Sequence, residues 1–145
     1  MNVMSSTHPL QATFELAAYR VRLARGGYAT IRVGKPLPGE LAALLPEKDA
    51  CWAFITAWNP HGTLRSRKAN RKAQRALVDT LHNRHPAARW HAGCGTLDNW
   101  REPSLFVTGL SESALDELMH RFGQLAVVSG CGNEPAVLRW SPVHG

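Results

Sequence analysis

The strongest candidate for a chemical role is Glu102, in the segment REPS. Pro103 follows it directly, fixes the chain where a predicted strand begins and leaves the carboxylate at the rim of the sheet. A carboxylate beside arginines stays ionised, so it can orient them, bind a sugar hydroxyl or act as a general base. We take Glu102 as the candidate catalytic residue. A salt bridge to Arg67 or Arg71 is the purely structural alternative.

Amide and hydroxyl side chains flank the same predicted elements and are candidates for contacting the polar groups of a ligand. Asn59 ends an apolar strand, where Pro60 is expected to hold it in an extended conformation. Asn70 lies about 20° from Leu77 on the inward face of the next helix, and an amide there either contributes to a ligand site or locks a loop. The candidate ligand-binding residues are Thr56, Asn59, Ser66, Arg67, Asn70, Arg71, Ser104 and Gln124.

Cations dominate the start of that helix. No acidic residue occurs between Ala50 and Val78 in a chain whose net charge is +6. The basic residues of this stretch are Arg65, Arg67, Lys68, Arg71, Lys72 and Arg75. Because a helix N-terminus already carries partial positive charge, cations are unfavourable there. Either an external anion completes the site with the free backbone N–H groups, or the cations form a solvated basic face.

Other patterns predict neither a cofactor nor a metal site. His82, His85, His91 and Cys94 are residue types that bind zinc, but their spacing is not a standard zinc signature. Two GCG segments, around Cys94 and Cys131, predict turns and lack a paired base that would activate either thiol. Three cysteines at unrelated spacings predict no disulfide framework, and this favours a reducing cytoplasm.

Hydrophobic periodicity indicates the elements that must position these side chains. Helices are predicted over residues 9–17, 37–48, 66–84 and 111–122. Strands are predicted over residues 19–23, 28–33, 51–58, 88–94, 104–110, 124–129 and 136–140, with GCGTLDNW as a loop. Ser66 is the predicted N-cap of the long helix.

The order of elements from residue 51 to residue 129 is strand, helix, strand, strand, helix, strand. This order predicts an α+β fold with a ferredoxin-like βαββαβ core, a mainly antiparallel sheet and both helices on one face. The N-terminal hairpin and the last strand extend or flank that core. We expect one domain over residues 1–145, with residues 1–17 as a partly flexible segment or a short helix. In this topology the candidate residues from Asn59 to Gln124 gather at one edge of the sheet.

Several short motifs occur in a fixed order along the chain. They are AYRVRL, IRVG, FITAWNP, SRKAN, EPSLFV and FGQLAVV, between Tyr19 and Trp140. This set resembles a small bacterial domain family of unknown function. The resemblance implies a shared fold and a shared polar cluster, and it implies nothing about substrate. It marks Tyr19, Thr56, Asn59, Pro60, Ser66, Asn70, Glu102, Ser104 and Gln124.

These features predict a cytoplasmic binding module that takes an anionic ligand, such as a nucleotide, a phosphometabolite or RNA, in a polar and basic pocket at the sheet edge. An enzyme of hydrolase or transferase type is the first alternative, with Glu102 as acid or base and Asn59 or Asn70 as oxyanion donor. A module that binds an acidic protein through the basic helix 66–84 is the second. No membrane partner is expected, because the longest apolar run, residues 50–58, is too short to cross a bilayer. The oligomeric state is left open.

Overall fold

Seven strands and four α-helices lie within residues 8–142, the part of the chain that the computed structural model describes. The strands are β1 Ala18–Arg22, β2 Tyr28–Ile31, β3 Cys51–Ile55, β4 Arg89–Leu97, β5 Trp100–Thr108, β6 Ala126–Cys131 and β7 Val137–Trp140. The helices are α1 Gln11–Leu16, α2 Gly39–Ala42, α3 Arg67–Arg84 and α4 Glu112–Arg121. No helix in this part of the chain combines the length and the apolar character needed to span a membrane.

All seven strands belong to one antiparallel sheet, in the order β2-β1-β4-β5-β3-β6-β7. The prediction of a ferredoxin-like core is therefore wrong. The N-terminal hairpin and the last strand are integral to the sheet, because β1 pairs along β4 and β7 pairs along β6. The fold is a mixed α/β architecture built on one wide sheet.

The sheet curls into a half-barrel because its two edges meet at one end. Val33, just after β2, forms a parallel bridge with Ala136, just before β7. The N–H of Gly34 donates to the carbonyl of Ala136 at 2.8 Å, and the N–H of Ala136 donates to the carbonyl of Lys35 at 2.9 Å. These bonds join segments that flank opposite edges of the sheet, so the strands between them enclose a concave face.

Each face of the sheet has its own hydrophobic core. The outer, convex face packs against α3 and α4 through residues such as Ile55, Leu77 and Leu118. The concave face buries Tyr19, Phe54 and other large side chains. Successive side chains of a strand point to opposite faces, so β3 and β5 place their even-numbered residues on the concave side. Glu102 and Ser104 of β5 therefore face the same interior as Phe106.

Helices α3 and α4 begin as predicted, but one predicted loop is wrong. Ser66 caps α3 by accepting from the Ala69 N–H at 3.1 Å, and Ser111 caps α4 in the same way. The segment GCGTLDNW was predicted to be a loop, yet β4 continues through both of its glycines to Leu97. Strand β5 likewise starts at Trp100, so Glu102 lies inside a strand instead of before one.

A disulfide bond joins Cys51, the first residue of β3, to Cys131, the last residue of β6. The two residues face each other in the antiparallel register, although 80 positions separate them in the sequence. The prediction that the cysteines form no disulfide is wrong, because a pairing set by sheet register leaves no spacing signature in the sequence. The reason for expecting a reducing cytoplasm falls away with it.

Candidate functional site

A cavity of about 240 Å³ opens on the concave face of the sheet, beside α1 and the loop that follows β3. Five aromatic side chains contribute to its lining: Phe14, Tyr19, Phe54, Trp58 and Trp100. Its polar lining residues are Thr13, Thr56, Asn59, Glu102, Ser104 and Gln124. The cavity therefore combines an aromatic wall with a small number of convergent polar groups, and we call it the Glu102 cavity.

Strand register aligns Glu102 with Gly95 and Tyr19 on this surface. Glu102 pairs with Gly95 of β4, and Gly95 pairs in turn with Tyr19 of β1. A Cβ atom at Gly95 would lie 2.9 Å from Cη2 of Trp100, so the glycine makes room for the indole ring on the sheet. Sequence reasoning missed this role. The available signal was a glycine within an alternating strand pattern, which often marks close packing.

The Glu102 carboxylate is half-buried and hydrogen-bonded, and it forms no salt bridge with Arg67 or Arg71. Asn59 Nδ2 donates to Glu102 Oε2 at 3.3 Å, and the Trp100 side chain also donates to the carboxylate. Burial raises the pKa of Glu102 to about 7, and these two hydrogen bonds offset only part of that effect. The carboxylate was expected to stay fully ionised beside arginines, but it has no arginine partner among the described residues, and desolvation leaves it only partly ionised near neutral pH.

Tyr19 lies close to Glu102 and links the sheet to α1. Its hydroxyl donates to the carbonyl of Phe14, and burial raises the pKa of Tyr19, with a smaller contribution from the charge of Glu102. The phenol therefore stays protonated at neutral pH. The cavity thus combines one carboxyl group that can gain or lose a proton near neutrality with the neutral hydroxyl groups of Thr13, Tyr19, Thr56 and Ser104.

Asn59 and Asn70 bond to each other and fix the loop between β3 and α3. Asn70 Oδ1 accepts from the Asn59 N–H at 2.9 Å, and Asn70 Nδ2 donates to Asn59 Oδ1 at 2.9 Å. Asn59 Oδ1 also accepts from the Arg65 N–H at 3.1 Å. Asn59 has φ 47° and ψ 58°, so the expected extended conformation is wrong. Asparagine tolerates this left-handed region better than most residues, and the side-chain bonds hold it there.

Three further predicted residues also line the cavity. The Thr56 hydroxyl donates to the Pro103 carbonyl at 2.6 Å, and Ser104 Oγ donates to the Glu102 carbonyl at 2.9 Å. Gln124 Nε2 donates to the Trp58 carbonyl at 3.1 Å. Sequence reasoning missed Gln74 on α3, whose side-chain oxygen accepts from the Ala57 N–H at 2.8 Å and holds the end of β3.

The remaining predicted residues lie outside the cavity. Ser66 is the α3 cap, and Asn70 is buried beneath the loop and absent from the cavity lining. Arg67 and Arg71 are exposed on α3 and also do not contribute to the lining. The structure therefore brings Thr56, Asn59, Glu102, Ser104 and Gln124 together and separates them from the predicted phosphate-binding arginines.

The indole N–H of Trp58 is buried in the cavity wall without a hydrogen-bond acceptor among the described residues. Gln124 Nε2 donates to the carbonyls of Trp58 and Phe122, whereas Gln124 Oε1 has no hydrogen bond within residues 8–142. A buried donor without a partner costs about 1–3 kcal/mol. Trp58 and Gln124 thus supply a donor and an acceptor that the described residues leave unused.

Metal binding finds no support in the geometry. Within the described part of the chain, no three His, Cys, Asp or Glu side chains are grouped closely enough to hold a metal ion. Cys94 is a free, half-buried thiol on β4, and its S–H donates to the carbonyl of Gly95 at 3.6 Å.

Comparison with known proteins relates the chain to a protein family. No curated protein and no solved structure matches the chain. One family model, described as "Protein of unknown function (DUF3293)", matches residues 55–127, which is just over half of the chain. The matched segment contains Thr56, Asn59, Glu102, Ser104 and Gln124, whereas Tyr19 lies outside it. The bacterial origin and the individual motifs of the resemblance stay predictions. The chain belongs to the DUF3293 family of proteins of unknown function.

Proposed function

We propose that the protein binds a small organic molecule in the Glu102 cavity, with the carboxyl group contacting a neutral or cationic polar end of that molecule. One observation carries the proposal. Glu102 is the only acidic or basic side chain among the lining residues, which include no lysine, arginine or histidine. Its hydrogen bonds to Asn59 and Trp100 hold the carboxyl group in place before a ligand arrives.

The composition of the cavity supports a small and partly apolar ligand. Pockets for small molecules are mostly apolar and aromatic, with a few placed polar groups. The volume of about 240 Å³ lies below the roughly 300–1,000 Å³ typical of such pockets. A compact metabolite fits this volume better than a nucleotide. The Trp58 N–H and Gln124 Oε1 have no partner among the described residues, and we propose that they contact its polar atoms.

An anionic ligand, which the basic composition predicts, is less well supported at this cavity. An anion placed there would meet the Glu102 carboxyl group without any cationic lining residue. The cations that motivated the prediction lie on the exposed surface of α3. We therefore assign the cavity to a neutral or cationic ligand and treat the surface of α3 separately.

A thermal-shift screen tests this proposal. The probes are organic amines, neutral alcohols and amides, and phosphorylated compounds including nucleotides. We expect some amines or neutral compounds to raise the melting temperature of the wild-type protein. Glu102→Gln should lose the shift for amines, because the charge-assisted hydrogen bond is removed. Glu47→Gln changes an exposed glutamate outside the cavity and should keep the shift. Stabilisation by phosphorylated compounds alone, equal in all three proteins, would refute the proposal.

Acid–base catalysis is a second candidate function, and the titration of Glu102 favours it. A carboxyl group with a pKa near 7 can accept and return a proton at neutral pH. Asn70 is not available as an oxyanion donor, because both of its amide hydrogens are used by Asn59 and Arg65. If a cavity ligand is turned over, Glu102→Gln should abolish turnover while Glu47→Gln retains it. Full turnover by Glu102→Gln would exclude catalysis by this residue.

A further inference from the structure

The exposed face of α3 carries a continuous cationic stripe that the Glu102 cavity does not use. At about 100° per residue, the cations fall within about 140° of the helix circumference. The stripe consists of Arg67, Lys68, Arg71, Lys72 and Arg75, all of which are exposed. It extends about 12 Å along the helix at 1.5 Å per residue. The buried residues Asn70, Leu77 and Leu81 lie on the opposite side, against the sheet.

No anionic group of the described residues neutralises this stripe. None of its side chains forms an ion pair or a hydrogen bond with another residue between 8 and 142. The neighbouring helix α4 is acidic, but Glu112 and Asp116 pair with Arg139 at 3.3 and 2.9 Å instead. The first acidic residue after the stripe is Asp79, one turn beyond Arg75.

This arrangement of cations destabilises α3 when no anion is bound. Cations in the first turns of a helix oppose its dipole, and like charges spaced four residues apart repel each other. Both conditions hold for Arg67 and Arg71, and the second also holds for Arg71 and Arg75. A bound polyanion would relieve both costs at once.

We propose that the α3 stripe binds the phosphate backbone of double-stranded DNA without reading its sequence. The argument is independent of the Glu102 cavity. Three of the five stripe residues are arginines, whose guanidinium groups bind phosphate oxygens in pairs. Phosphate contacts position a protein on a duplex but carry no sequence information. An exposed α-helix also matches the B-form major groove, which is about 12 Å wide.

Two other polyanions fit the stripe less well. An acidic protein partner would need buried aromatic or aliphatic anchors at the centre of its interface. None of the large exposed hydrophobic residues among the described residues lies on α3. Single-stranded RNA is bound through aromatic stacking, which the stripe lacks, and the deep, narrow major groove of duplex RNA does not admit an α-helix as the B-form groove does.

Fluorescence anisotropy with a labelled DNA duplex of about two helical turns tests the proposal. We expect the logarithm of the wild-type affinity to fall with the logarithm of salt concentration at a slope of about −3 to −5. The double variant Arg67→Glu with Arg71→Glu should bind at least tenfold more weakly at low salt, and its slope should be shallower by about two. A labelled single-stranded RNA and a polyglutamate peptide serve as competing probes.

The matched control is Lys35→Glu with Lys48→Glu. It makes the same change in net charge at two exposed lysines away from α3, and we expect it to change affinity less than about threefold. Glutamates in the first turns of α3 suit the helix dipole, so circular dichroism should show that the α3 variant melts no lower than the wild type. The proposal would be overturned if both double variants weakened DNA binding equally, or if the wild type bound DNA without salt dependence. Tighter binding of RNA or polyglutamate than of the duplex would also overturn it.

Discussion

Glu102 shows how burial changes the chemistry of a single side chain. A folded-state pKa near 7, against an ordinary value of 4.5, means that the folded protein holds this proton more tightly than the unfolded chain does. The resulting stabilisation is fully present below the unfolded value. It is lost as the pH rises from the unfolded value to the folded value.

This titration predicts a specific pH dependence of stability. At 1.36 kcal/mol per pKa unit, the wild type should lose about 3 kcal/mol of unfolding free energy between pH 4.5 and 7 through Glu102 alone. Glu102→Gln is neutral at every pH and lacks this loss. Urea unfolding of both proteins across that pH range measures the difference. If the two stability profiles stay parallel, Glu102 does not titrate near neutrality in the folded protein.

Sequence reasoning placed the key residues better than it described their state. The predicted order of strands and helices put Asn59, Glu102, Ser104 and Gln124 at one edge of the sheet, and all four line one cavity. The ionisation of Glu102 could not be inferred, because it depends on burial in a cavity whose walls include α1, β1, β3 and β6, which are remote from Glu102 in the sequence. The location of Arg67 outside the cavity could not be inferred either. Helix geometry predicts which face of α3 carries Arg67, but it does not predict where the cavity lies.

At the scale of elements, the glycines of β4 decide whether β1 and β5 can enclose the cavity. A Cβ atom at Gly93 would lie 2.7 Å from the carbonyl oxygen of Arg20 on β1 and 2.8 Å from Cε2 of Phe54. The Arg20 contact is to backbone, so rotation of a side chain cannot relieve it. The GCG segment was predicted to be a turn because two glycines so close together usually break a strand.

This packing predicts that Gly93→Ala destabilises the protein by about 1–3 kcal/mol, since β1 or Phe54 must shift. Gly39→Ala is the matched control, because a Cβ atom there has no neighbour within 4 Å. We expect the control to change stability by less than about 0.5 kcal/mol. Chemical denaturation of the two variants gives both values. Equal stability of Gly93→Ala and the wild type would show that β4 accommodates a side chain at this position.

At the scale of the whole molecule, local patterns predicted most of the strands but not the sheet that they form. The hairpin, α3, α4 and β7 lie close to their predicted positions. The pairing of β1 with β4 and the meeting of Val33 with Ala136 are contacts across more than 70 residues. Such contacts depend on sheet twist and curvature, which periodicity does not encode. The familiar βαββαβ order therefore suggested a smaller core than the one that forms.

The Cys51–Cys131 disulfide constrains most of the molecule, because the 80-residue loop that it closes contains α3, β4, β5 and α4. Closing so long a loop restricts the unfolded chain and stabilises the fold by about 4 kcal/mol in the chain-entropy treatment. The double variant Cys51→Ala with Cys131→Ala should lose about that much unfolding free energy in urea without reductant. Reducing the wild type should produce a similar loss. Cys94→Ala removes the free, half-buried thiol and is the control. The prediction fails if the double variant loses no more unfolding free energy than Cys94→Ala does and reductant does not change the stability of the wild type. The bond would then not stabilise the folded protein.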